Sequence, residues 1–161
     1  MTPKLLIGGS LSFFALAVIV IVVLPYVQTN DLPAWEHTYQ YSEKALKGRK
    51  IYIREGCWYC HTQQVRPWKV VEDKIVGVPA DADLGRPSDP RDYVNDRPHL
   101  LGTERTGPDL AHVGSTKSEK DWHIQHLKDP RSMVEGSIMP SFAFLTEEEL
   151  DDLSEYLLSL Q

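Results

Sequence analysis

No charged residue lies between Lys4 and Asp31, and the stretch Leu5–Leu24 reads LLIGGSLSFFALAVIVIVVL. About 20 apolar residues are what a helix needs to cross a hydrocarbon core. Lipid offers backbone amides and carbonyls no partners, so a lone spanning segment can only be helical. The sequence therefore predicts a single N-terminal transmembrane helix within an anchor of residues 1–27. A cleaved secretory signal is the alternative, but its apolar core runs about 7–15 residues and ends in a small-x-small site. Pro25-Tyr26-Val27-Gln28 provides no such site. The amino terminus and Lys4 precede the span, and Asp31 and Glu36 follow it. The positive-inside bias then places the N-terminus in the cytoplasm and the remaining residues outside. Tyr26 and Trp35 are either interfacial aromatic anchors or ordinary linker residues. The net charge of −6 disfavours nucleic acid as a partner.

The only two cysteines among 161 residues stand in Gly56-Cys-Trp-Tyr-Cys-His61. Four chemistries use such a cluster. Structural zinc wants four Cys or His ligands, usually in two pairs, and no second Cys pair exists. A thioredoxin-like dithiol belongs at a strand–helix junction, which the flanks do not resemble. A disulfide across two intervening residues closes too small a loop to stabilise much. Cys-x-x-Cys-His is the pattern of covalent c-type haem attachment. Cys57 and Cys60 would each bond a haem vinyl group, and His61 would be the proximal iron ligand. That chemistry accounts for all three side chains being contiguous, with zinc and a redox dithiol as the alternatives.

The outer chain reads as mainly α. Residues 28–41 form a tether with no clear period. Ser42 to Gly56 reads as a helix capped by Ser42 and ended by Gly56, with Leu46 and Ile53 on a similar face and Tyr52 nearby. A domain of residues 42–161 starts there. Residues 62–105 read as a loop-rich insertion, because Asp81 to Asp96 is dense in Asp, Pro, Arg and Gly. Within it Trp68, with Val65, Val70 and Val71, either covers one end of the haem or pins the loop to the core. Arg105-Thr-Gly-Pro-Asp-Leu110 taken alone reads only as a turn; after a Cys-x-x-Cys-His motif it resembles the c-type cytochrome segment whose proline carbonyl accepts the ring N–H of the proximal histidine, which would give Pro108 the role of orienting His61. Ser118 to Lys128 reads as a short helix capped by Ser118 with Asp121 reciprocal. Its His123 and His126 share a face, as metal ligands or as structural histidines.

Gly136-Ser-Ile-Met-Pro140 offers a thioether, a good sixth ligand to haem iron. Met139 is that candidate, Met133 its substitute, and His112 the ligand of a bis-histidine variant; a Met139 that only fills the core is the plain alternative. Thr146 to Glu149 is a capping box that opens a last helix, with Leu150, Leu153 and Leu157 on its apolar face and Tyr156 and Leu160 beside it. It should cross the first domain helix where Gly48 and Tyr52 meet Tyr156.

The order of anchor, helix, CWYCH, TGPDL, IMP and terminal helix resembles a membrane-anchored class I cytochrome c. More closely, GRKIYIREGCWYCHTQQVRPW, RTGPDLAHVG, DWHIQHLKDPRS and SIMPSFAFL resemble the mono-haem cytochrome c subunit of cbb3-type cytochrome c oxidases. These segments span roughly the middle two-thirds of the chain. The segment from Trp68 to Arg97 departs from that family, and the extension usual before its last helix is missing between Leu145 and Thr146. The resemblance implies one covalent haem c, with His61 and Met139 axial, in a non-catalytic electron-transfer subunit. Its donor would be another cytochrome c subunit or a soluble cytochrome c, and its acceptor a haem–copper catalytic membrane subunit. The location implied is the bacterial cytoplasmic (inner) membrane, with the haem domain on the periplasmic side. The cytochrome subunit of a nitric-oxide reductase, a free anchored cytochrome shuttle and a structural zinc-binding membrane protein remain open at this point. Gly8, Gly9, Ser10 and Ser12 would let the anchor pack closely on another helix, which favours a subunit.

Overall fold

The computed structural model describes residues 2–161; Met1, the first residue of the expected anchor, lies outside the described residues. Helix α1 runs from Pro3 to Asn30 and is long and apolar enough to cross a membrane. It carries a π turn over Ile19–Val23, and none of its window is buried against the rest of the chain. Ser10 and Ser12 return their hydroxyls to the Leu6 and Gly8 carbonyls, both at 2.9 Å. The span thus leaves neither hydroxyl unpaired in an apolar setting.

The outer part is mainly helical around one core. Helix α2 (Glu43–Arg54) starts where the Ser42 hydroxyl accepts from the Ala45 amide at 3.1 Å. Its buried face is Ala45, Gly48, Arg49, Ile51 and Tyr52. Leu46, placed by its period on a face with Ile53, is 45% exposed, because the crossing partner packs along the Gly48 side of the helix. That partner is the terminal helix, Glu147–Leu158. Thr146 opens it with a capping box to Glu149, and Leu150, Leu153, Tyr156 and Leu157 are buried along it. A Cβ on Gly48 would lie 1.9 Å from the Asp152 carbonyl oxygen and 2.9 Å from the Tyr156 Cβ. Tyr52 meets Tyr156 edge to face, 5.3 Å between centroids. Each fully buried side chain of this kind contributes about 1.5–3 kcal/mol.

Between these helices the chain departs from its loop reading. Trp68–Val71 (β1) and Lys74–Gly77 (β2) pair as an antiparallel hairpin, Val71 opposite Lys74 and Trp68 opposite Gly77. Glu72 and Asp73 both take positive φ, 49° and 59°, the backbone of a two-residue turn that suits strand twist. Val70 and Val71 are exposed there, while Trp68 bonds the Gly85 carbonyl at 3.0 Å, so the tryptophan pins the hairpin to the following loop.

The charged stretch that follows is not merely a surface excursion, since Asp81, Asp92 and Asp96 are buried. Each meets arginine: Asp81 meets Arg66 and Arg105, Asp92 meets Arg86, and Asp96 meets Arg49. The tether joins in. Trp35 donates to Asp92 at 2.9 Å and lies under Arg91, 3.9 Å from its ring, while Thr38 and Tyr39 are buried. Trp35 is thus half-buried against the 86–92 segment.

Helix α3 spans Lys120–Lys128. Glu119 precedes it without a side-chain cap, so Ser118 does not cap it as its sequence position had indicated. The terminal helix, Glu147–Leu158, is α4. Lys120 bridges to Asp151 at 2.7 Å and Lys128 to Glu147 at 2.7 Å, drawing α3 onto α4.

Candidate functional site

The site begins where α2 stops. Arg54 is the last helical residue, Glu55 caps, and Gly56 takes a left-handed conformation at φ 70°. A glycine is what that backbone tolerates without a Cβ clash. The reversal starts a tight turn over Cys57–Tyr59, closed by the Cys60 and His61 amides on the Cys57 carbonyl at 3.1 and 3.0 Å. Cys57, Cys60 and His61 are thereby gathered on one turn. Both thiols are free; Cys57 is half-buried and Cys60 exposed. Burial pushes the Cys57 thiol up to about 12. A thiol held protonated is a poor dithiol-exchange nucleophile.

Beyond the turn, residues 60–62 run beside residues 107–110. The Gly107 amide donates to the Cys60 carbonyl at 2.8 Å and the Leu110 amide to the Thr62 carbonyl at 2.7 Å. This pairing brings the Pro108 carbonyl to His61 Nδ1 at 2.7 Å. A carbonyl can only accept, so Nδ1 carries the proton and Nε2 keeps its lone pair. Burial lowers the histidine below its usual range, against an opposing effect of that bond, so the ring is neutral at pH 7. A neutral imidazole oriented by a carbonyl through its other nitrogen is the arrangement metal-ligating histidines use.

Two contributors lay outside the sequence reading. Gly107 packs on the imidazole, where a Cβ would stand 2.3 Å from His61 Cε1. Its position before Pro108 was the only available sign. Asp109 organises the turn from below. Its carboxylate accepts from Thr62 Oγ1 at 2.5 Å, from the Gln64 amide at 3.0 Å and from the Ala111 amide at 2.9 Å. Arg105 links Asp109, Thr62 and the buried Asp81. Gln63, next to the motif, is buried and accepts from Tyr156 Oη at 3.0 Å, which ties α4 to the site.

Met139 is half-buried against the core that Cys57, Trp58 and Leu110 also border. Its strap is held to the end of α3, with Ser141 Oγ donating to the Lys128 carbonyl at 2.5 Å and the Phe142 amide to the Leu127 carbonyl at 2.8 Å. Met133 sits on a separate short turn, Pro130–Met133. His112 is half-buried, with its ring turned to Gly85. His123 is buried and bonds the Lys117 carbonyl at 2.7 Å. Among the described residues no three His, Cys, Asp or Glu side chains converge as a metal-binding group, so a zinc site built on Cys57 and Cys60 finds no third ligand of that kind. A haem needs no such cluster, only two thiols, an oriented imidazole and a second axial donor, and the residues on this turn fit it.

A family model described as cytochrome C oxidase, mono-heme subunit/FixO, matches residues 2–157. The chain belongs to that family, and it is accordingly a cytochrome c oxidase subunit of electron transport, with the family's single haem. No curated protein matches the sequence.

Proposed function

We propose that this chain is a membrane-anchored electron relay of a cbb3-type oxidase, passing electrons from a cytochrome donor to the haem–copper subunit. The observation that carries the reading is the His61–Pro108 bond at 2.7 Å directly after the two-cysteine turn. Cys57 and Cys60 would hold the haem through thioether bonds, His61 and Met139 would be its axial ligands, and Pro108 would keep the His61 ring in place. A haem so bound supplies a one-electron redox centre with both axial positions closed. The protein's part is orientation and exclusion of competing ligands. Pro108 and Gly107 fix the imidazole between a hydrogen bond and a close wall. The strap from Met139 to Phe142 is fastened to α3, so the thioether is presented from a fixed backbone. Helix α1 would hold the domain at the outer face of the cytoplasmic membrane, beside its partner subunit.

The test is covalent haem. The purified chain should keep its haem stain in a denaturing gel at one haem per chain, and Cys57→Ala with Cys60→Ala should abolish it. Stoichiometric zinc without haem in the wild type would sink the reading.

A further inference from the structure

Helix α3 carries two histidines on one face, and the structure gives them different surroundings. His123 is satisfied by the Lys117 carbonyl. His126 is half-buried and lies flat on Trp122, 4.8 Å between centroids with planes 8° apart. Its Nδ1 is buried and has no hydrogen-bond partner among the described residues. A buried ring nitrogen left unpaired is open to a further partner.

Its position says what that partner is. The strap bearing Met139 is tied to Leu127 and Lys128, the residues directly after His126. His126 therefore belongs to the turn of α3 that holds the Met139 strap. Met133 and His112 lack this placement: one belongs to a separate turn, the other faces Gly85.

We infer that His126 is a reserve iron ligand on the Met139 side of the haem, an inference that rests on the haem reading above. When the Met139 sulfur leaves the iron, a ring nitrogen of His126 takes the position. The iron–sulfur bond breaks, an iron–nitrogen bond forms, and the iron keeps its oxidation state. Either nitrogen of a neutral imidazole can ligate. Burial lowers His126 below the usual histidine range, so the ring keeps a lone pair at neutral pH. Trp122 holds the ring plane ready in the meantime.

Oxidised full-length chains carrying their haem would be compared by optical absorption and electron paramagnetic resonance. Wild type and His126→Phe should both show the sulfur-to-iron charge-transfer band. Met139→Ala should lose that band yet remain low-spin with two nitrogen ligands. Met139→Ala with His126→Phe should be high-spin and bind added cyanide. Met139→Ala with His126→Gln gives the same reading if the phenylalanine disturbs folding. A high-spin Met139→Ala protein overturns the inference, and so does a double variant that stays low-spin. A wild type without the sulfur band also overturns it, because His126 would then be no reserve. Loss of the haem reading itself appears separately, as absence of haem stain from the wild-type chain.

Discussion

His61 shows how much a single contact is asked to do. Its ring is set by a carbonyl on one side and by the absence of a side chain at Gly107 on the other. Gly107→Ala puts a methyl 2.3 Å from Cε1, so the ring must leave the Pro108 carbonyl. In the proposed haem site that bond would make the imidazole a stronger donor to iron and favour the oxidised state. Gly107→Ala should therefore keep covalent haem but raise its reduction potential, as read by potentiometric titration; an unchanged potential would mean the wall is not needed. Asp81 makes a different point. Arg105 first, then Arg66, hold its buried carboxyl well below the usual carboxylate range. A carboxyl depressed in the folded state adds stability that is complete above its unfolded value, about pH 4, and lost as pH falls through the native value. Asp81→Asn should unfold more easily at pH 7 and show a flatter loss of stability below about pH 4 than wild type, measured by denaturant unfolding across pH. Parallel pH curves for the two proteins would remove Asp81 from the acid response.

Among elements, the crossing of α2 and α4 governs the fold. Gly48→Ala improves helix propensity by about 1 kcal/mol. Overpacking costs about 1–3 kcal/mol. Here the obstacle is the Asp152 carbonyl oxygen, which as backbone cannot rotate away. Packing should win, and Gly48→Ala should lower the melting temperature of the haem-loaded protein, with Gly48→Val lowering it further. A melting temperature at or above wild type would show that the helices slide apart cheaply. The crossing reaches the site through Tyr156, whose hydroxyl meets Gln63 two residues past His61. Loosening α4 should for that reason disturb the haem spectrum before the domain melts.

For the whole molecule, the proposed anchor predicts that the residues after α1 lie outside the cytoplasm. The apolar run Leu5–Leu24 has one lysine before it and acidic residues after it. A reporter fused after Gln161 should be active only outside the cytoplasm, and detergent, not high salt, should release the protein. Release by salt alone would remove the anchor. An outer location also fits a chain whose two cysteines are both spent on one turn.

Several features were legible because their rules are local. The apolar run marked a helix long enough to cross a membrane, and Ser42 and Thr146 marked the caps they form, although Ser118 marked one that it does not. The face of α4 followed from a 3.6-residue period. The approach of Pro108 to His61 was expected through the family resemblance and not through spacing. The rest depends on partners far along the chain. Whether Leu46 or Arg49 faces inward on α2 is decided by where α4 lands, and period alone leaves both possible. The hairpin at Glu72-Asp73 was hidden because its turn lacks the glycine or asparagine that usually marks it. The Asp81–Asp96 stretch read as loop because its composition does not show which carboxylates find an arginine, and burial of a carboxylate needs such a partner. Arg105 and Asp81 are 24 residues apart, and Trp35 and Asp92 are 57 apart. Local sequence carries no record of such pairs, and only the closed tertiary fold brings each charge to its counter-charge.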